Sequence, residues 1–200
     1  RDELLKTGIR GKAGQYIIFS RVEAMLGTRW VQAEGETNDG KRVLFVFGPE
    51  YAPMEQRQVE QALREAQTLR PTPDMIIFLA FQFDSEAAKD IDEVKWQNIT
   101  LLRVQMNADL FNEDLKKKRS SDDSFWLIGQ PDITIKTIKS GEHKGKYQVE
   151  VLGFDYYNTK TGNVESGGSS KIAMWMLDTD YDERSLFPTQ IFFPMAGKNE

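Results

Sequence analysis

Residues 43–83 constrain the fold more than any other stretch, because their hydrophobic period changes twice. Residues 43–47 (VLFVF) are an unbroken apolar run, which suits a strand buried on both faces. GPEYAP then interrupts regular structure, since glycine and proline punctuate it. From Met54 the period is helical: Val59, Ala62, Leu63 and Ala66 recur at three- and four-residue intervals, with Glu, Gln and Arg between them. Pro71 and Pro73 end that helix, and residues 75–81 (MIIFLAF) form a second wholly apolar run. Strand, helix, strand in that order predicts a βαβ unit with a right-handed crossover.

The flanking segments extend this unit. Residues 29–36 (RWVQAEGE) alternate, with Trp30, Gln32 and Glu34 on one side and Val31 and Ala33 on the other. The Asp-Gly of TNDG (37–40) is a hairpin signal, so 29–36 should pair antiparallel with 43–47. Residues 83–94 (FDSEAAKDIDEV) open with an N-cap, Asp84 or Ser85, and read as a helix. Residues 99–106 (ITLLRVQM) are a third buried strand. The expected core is therefore α/β: a β-hairpin followed by βαβαβ, giving a mixed, mostly parallel sheet. Residues 1–14 read as a polar lead-in, 16–26 begin as a strand, and 107–119 read as a helix. From residue 125 onward the pattern is strands and turns. Two strands form a hairpin around GEHKGK, a Gly/Ser-rich loop spans 159–170, and residues 171–194 give two strands around an acidic turn. This divides the chain into an α/β core over 1–124 and an antiparallel β subdomain over 125–200, with a single domain as the alternative.

Composition narrows the chemistry. The net charge of −5 means that any nucleic-acid contact must come from a local basic patch. The absence of cysteine excludes disulfides, thiolate metal sites and cysteine catalysis, and fits a cytoplasmic protein. The one histidine, His143, lies in a turn-like stretch without a companion for metal or triad work, and reads as a solvated loop residue. No apolar stretch approaches the roughly 18–20 residues of a membrane span, so no membrane partner is expected. The first residues, RDELLKTG, read as mid-chain, so a fragment of a longer protein is expected.

Three constellations could carry chemistry. Glu34 and Glu36 end a strand of a hairpin that feeds a βαβ core, a layout that resembles restriction-endonuclease-like folds. Those place carboxylates and an (Asp/Glu)-x-Lys on adjacent strands to hold Mg²⁺ and orient water. Here Glu36 stands where the lysine is needed, and Lys41 lies beyond the turn, so a solvated strand end is the better reading. The second is DTDYDE (178–183), spaced like a calcium loop but without its glycine and distal glutamate, which favours an acidic turn. The third is the basic run Lys116, Lys117, Lys118 and Arg119. It suits a helix C-terminus, and equally phosphate contact with nucleic acid. Trp126, just beyond, could add base stacking, although a Trp within FWLIG is more often core. No GxGxxG, P-loop, HExxH, GxSxG or DPPY-type motif occurs, so nothing is equipped for catalysis alone.

Long stretches carry a resemblance: GPEYAPMEQRQVEQAL, FLAFQFDSEAAKDI, LLRVQMNADLFNEDLKKKRSSDDSFWLIGQPDI, GFDYYNTKTGNVESGG and KIAMWMLDTDYDERSLFPTQIFFP. Together they resemble the C-terminal region of site-specific adenine DNA methyltransferases, similar to the modification subunits of type III restriction–modification systems. The likeness extends over most of the chain from about Ala13. It implies a non-catalytic module of an enzyme that uses S-adenosylmethionine to methylate adenine N6 after flipping the base. It also implies three partners: DNA, the catalytic methyltransferase domain of the same chain, and a restriction subunit. The family's methyl-transfer motifs lie upstream of this region, so no catalytic residue carries over. A degenerate or active nuclease domain and a purely structural interaction module are the rival readings.

Overall fold

A computed structural model describes residues 1–11, 15–94, 96, 98–107, 110, 124–172, 175–180 and 190–192. The chain divides into two compact units, one of residues 1–128 with 157–162, the other of residues 129–156 with 163–200.

The first unit is built on an eight-stranded mixed sheet. Its strands are β1 (Ile9–Arg10), β2 (Tyr16–Ile17), β3 (Phe19–Ala24), β4 (Ala33–Thr37), β5 (Arg42–Phe47), β6 (Met75–Ala80), β7 (Thr100–Met106) and β8 (Phe125–Leu127). They lie in the order β2-β1-β8-β7-β6-β5-β4-β3. Among the described residues three α-helices accompany them: α1 (Asp2–Thr7), α2 (Gln56–Thr68) and α3 (Ser85–Glu93). The expected βαβ unit is present. β5 and β6 pair in parallel from Val43↔Met75 to Phe47↔Leu79, with α2 between them, and β6 pairs in parallel with β7. The expected hairpin is present too: β4 and β5 pair antiparallel through Glu36↔Arg42, and Gly40 takes the left-handed φ of 84° in the turn. The expected predominance of parallel pairing is not what the strands give. Among the described strands parallel pairing is confined to β5-β6-β7 and the single pair Arg10↔Trp126, while β1–β2, β3–β4, β4–β5 and β7–β8 are antiparallel.

Side chains alternate across a strand, so each apolar run feeds two cores. Val43, Phe45, Met75, Ile77 and Leu79 point to one face, where Leu4, Phe19, Val104 and Tyr157 join them. Leu44, Val46, Ile76, Phe78 and Ala80 point to the other, beneath α2 and α3. Phe45 and Phe78, fully buried at the centre of opposite faces, each contribute roughly 1.5–3 kcal/mol of transfer free energy. α2 buries Val59, Ala62 and Ala66, while Leu63 packs half-buried at the margin. Ala62 and Ala66 are small enough to bring the helix close to the sheet. α3 begins at the expected cap: the Asp84 carboxylate accepts the Ala87 N–H at 2.6 Å.

Residues 163–168 of the expected Gly/Ser-rich loop form a strand, because pairing in a sheet overrides their local composition. The strand expected over 29–36 begins only at Ala33. Two further segments depart from expectation. The presumed polar lead-in of 1–14 contains α1, whose Leu4 is fully buried, and β1. Six helical residues span too few turns for a periodic signal to register. Gly8, which follows α1 with a φ of 69°, is required there: a Cβ would lie 2.5 Å from the Ile17 carbonyl oxygen. The second departure is β8, which belongs to the large sheet and pairs antiparallel with β7. The helix expected over 107–119 falls almost entirely outside the described residues.

The second unit holds β9 (Gln130–Thr137), all but the last two residues of β10 (Tyr147–Asn158), and β11 (Asn163–Gly168), a separate antiparallel sheet ordered β11-β10-β9. The β9–β10 hairpin turns at GEHKGK as expected, with register Tyr147↔Thr137 to Asp155↔Gln130. β12 (Trp175–Leu177) and β13 (Gln190–Phe192) pair antiparallel, and Trp175 stacks on Phe192 at 4.1 Å. Among the described residues no helix is long and apolar enough to cross a membrane.

Candidate functional site

Glu34 and Glu36 lie two apart on β4 and therefore share a face. Arg42, one turn later on β5, donates to the Glu34 carboxylate at 2.9 Å, and the Arg21 guanidinium stands 3.9 Å from its other oxygen. Arg42 is further held by the Pro71 carbonyl, to which its guanidinium donates. Glu36 is exposed, opposite Arg42 in the strand register. The two glutamates are thus on one face, but the first is engaged by two arginines, and no group of three or more potential metal ligands occurs among the described residues.

Lys116, Lys117, Lys118 and Arg119 lie outside the described residues. Trp126 is 37% exposed on β8 while its neighbour Phe125 enters the core, so the expectation that this Trp is core is corrected. Alternation along β8 can turn only one of the two rings inward, and Phe125 takes that place. His143 is exposed in the β9–β10 turn. Of the acidic turn, Asp178 and Asp180 are described, the Asp180 N–H donating to the Asp178 carboxylate at 3.0 Å, and Asp182 lies outside.

The site that the fold builds was not singled out from the sequence. It is a cleft of about 330 Å³ in the first unit, formed by the β4–β5 turn, β2 and the turn of residues 157–162. Thr37, Asn38, Asp39 and Lys41 come from the hairpin that Asp-Gly dictates. On the other side Asn158 shapes the turn. Its side chain accepts the Lys160 N–H at 2.9 Å and its carbonyl accepts the Gly162 N–H at 2.8 Å. Gly162 takes φ 71°, and a Cβ there would lie 2.9 Å from Lys41 Nζ. This turn thus closes over the ammonium of Lys41.

Lys41 reaches the Asp39 carboxylate at 3.4 Å and hydrogen-bonds the hydroxyl of the buried Tyr157. Burial works to lower the Lys41 pKa, but Tyr157 and Asp39 outweigh it and hold it above its ordinary value. A hydrogen bond from the Thr37 hydroxyl draws the Asp39 carboxyl below its ordinary value; burial opposes this and Lys41 adds to it. Both groups are therefore charged near neutral pH. Among the described residues the Tyr16 hydroxyl, the Asn38 side-chain amide and the Lys160 ammonium have no partner. The sequence signal for the cleft was faint. Lys41 appears only as a residue past a turn, and Lys160 sits in a second turn more than a hundred residues away.

Other charged groups of the first unit serve the fold. Asp92 of α3 holds Arg103 of β7 bidentately at 2.9 and 2.7 Å, and burial pushes the Asp92 carboxyl up against the pull of that arginine. Glu65 of α2 accepts the backbone N–H groups of Arg29, Trp30 and Val31 at 2.8, 2.6 and 2.8 Å. No protein-family model, no curated protein and no solved structure matches the chain.

Proposed function

We propose that the chain is a non-catalytic, DNA-contacting module of an S-adenosylmethionine-dependent adenine-N6 DNA methyltransferase of a restriction–modification system. What carries the reading is the resemblance of its long stretches to the C-terminal region of those enzymes. The cofactor belongs to the catalytic domain of the longer cytoplasmic protein, and docking to that domain or to a restriction subunit accompanies DNA contact.

The geometry supports the non-catalytic half of the reading. Glu34, the carboxylate a nuclease centre needs, is neutralised by Arg42 and Arg21. The β4–β5 hairpin feeding β5–α2–β6 favours a restriction-endonuclease-like layout, but Glu34-Gly35-Glu36 has glutamate where the lysine of a carboxylate-x-lysine set is needed. We read it as a nuclease-like scaffold without the catalytic set. The exposed Trp126 and the basic run Lys116–Arg119 supply stacking and phosphate contact of the kind a DNA-contacting module uses.

The test takes two measurements. The chain should bind duplex DNA with an affinity that falls steeply with salt, and calorimetry should detect no S-adenosylmethionine binding. Micromolar cofactor binding, or Mg²⁺-dependent DNA cleavage lost in Glu34→Ala, would defeat the proposal. Absence of DNA binding at low salt would favour a purely structural module.

A further inference from the structure

The cleft of the first unit holds more hydrogen-bond donors than its own acceptors use. Lys41 has three N–H bonds. Asp39 and the Tyr157 hydroxyl take two, which leaves the third directed at no described residue. Tyr157 accepts one of those bonds, so its own O–H remains to donate. Tyr16, Asn38 and Lys160 add a hydroxyl, an amide and an ammonium, none with a partner among the described residues. Asp39, the one carboxylate in the lining, is occupied by Thr37 and Lys41. Two lysines against one aspartate leave the lining with one net positive charge.

We propose that this cleft is a phosphate-ester site, and that the phosphate it takes is one of a DNA backbone; the second part rests on the function proposed above. A phosphate offers acceptor oxygens in several directions and a negative charge, which is what converging unfilled donors on two sides of a cleft require. Its volume of about 330 Å³ leaves room for a phosphate with an adjoining sugar. Lys41 is prepared for this role: Asp39 and Tyr157 hold it, and the turn at Gly162 closes over it. Fixing its rotamer in advance removes ordering entropy that a freely solvated lysine loses on binding. Lys160, exposed on the opposite wall, supplies a second charge. Lys41 and Lys160 are distinct in sequence from the basic run Lys116–Arg119.

The test runs two titrations on the full chain. In the first, inorganic phosphate is added to isotope-labelled protein while the Asn38 side-chain amide resonance is followed by NMR. It should shift in the wild type and stay still in Lys41→Gln/Lys160→Gln. In the second, a short DNA duplex is bound at two salt concentrations. Lys160→Gln should weaken binding about threefold to tenfold and reduce the salt slope by about 0.9, the contribution of one neutralised phosphate. Lys160 is exposed and its ammonium unpartnered among the described residues, so this variant leaves folding intact; Lys41→Arg keeps the charge and should retain most of the affinity. An unmoved Asn38 resonance, with DNA affinity indifferent to Lys160→Gln, overturns the site and leaves the DNA-module reading standing. A phosphate shift in a chain that binds no DNA supports the phosphate site, and defeats both DNA as the source and the function proposed above. A phosphate shift together with DNA affinity that ignores Lys160→Gln overturns the DNA assignment of the cleft alone.

Discussion

Glu65 shows how one carboxylate can organise a loop that has no regular structure of its own. It reaches from α2 to three consecutive N–H groups at residues 29–31, which lead into β4 and otherwise lack acceptors in a turn. Burial works to raise its pKa, and the three N–H donors outweigh burial and bring it below the ordinary value of 4.5. The sign of the pH effect follows. A carboxyl whose pKa is lower in the folded state contributes stability that is fully present above its unfolded-state pKa. That contribution is lost as the pH falls through the folded-state value. Glu65→Gln keeps the shape but gives up the charge on those hydrogen bonds, and should lower stability at neutral pH by about 1–2 kcal/mol. The deficit should shrink on going to strongly acid solution, where the wild-type carboxyl is itself neutral. Denaturant melts of both proteins across the acid range measure this directly, and a deficit independent of pH would assign the loss to packing.

The α2 helix illustrates which part of the architecture can be read ahead of the structure. Its buried stripe, Val59, Ala62 and Ala66, faces the sheet as its three- and four-residue spacing requires, whereas Leu63 lies at the edge of contact. Enlarging the central small residue, Ala62→Leu, should therefore destabilise the protein by about 1–3 kcal/mol through overpacking against a filled sheet face. Leu63→Ala should cost less than a fully buried leucine, about 1–2 kcal/mol, and Glu60→Ala, on the exposed face, under about 0.5 kcal/mol. Thermal melts of the three variants should rank in that order; a silent Ala62→Leu would refute the assigned face. The same reasoning separates the elements that were legible from those that were not. β5, β6, β7, α2, α3 and the two hairpins follow from runs long enough to display a period, or from Asp-Gly and the Asp84 cap. α1 and β1 were missed because their few residues look polar, although Leu4 and Ile9 are fully buried through tertiary contacts that no local window contains. β8 was read as part of a later sheet because FWLIG specifies a strand but not its neighbour, and its partners are β7 and β1. The cleft was illegible for a related reason. Asn38 and Lys41 are separated from Tyr157 and Lys160 by more than a hundred residues, and only the folded chain sets one turn over the other.

In the DNA-contacting reading proposed above, the net charge of −5 decides how the chain would meet DNA. A net negative charge repels the duplex at long range, so attraction would have to be local, short in reach and sensitive to screening. Lys116, Lys117, Lys118 and Arg119 are the one dense basic run in the sequence. Four adjacent cations carry no base code; in the DNA-contacting reading they would neutralise phosphates wherever these lie, and so contribute affinity without specificity. Each phosphate neutralised adds about −0.9 to the slope of log affinity against log salt. Replacing all four with serine should therefore flatten that slope by about two to four units and weaken binding evenly across unrelated DNA sequences. Stability should barely change on the sequence expectation that the run ends a helix, where each charge is worth roughly 0.3–1 kcal/mol at low salt. Combining the serine variant with Lys160→Gln measures whether the two losses add. Titrations of wild type, the serine variant and the combined variant against two unrelated duplexes, each at low and moderate salt, separate the alternatives. Superimposed curves for wild type and the serine variant would mean that the run does not contact DNA, and that any DNA affinity resides elsewhere in the chain.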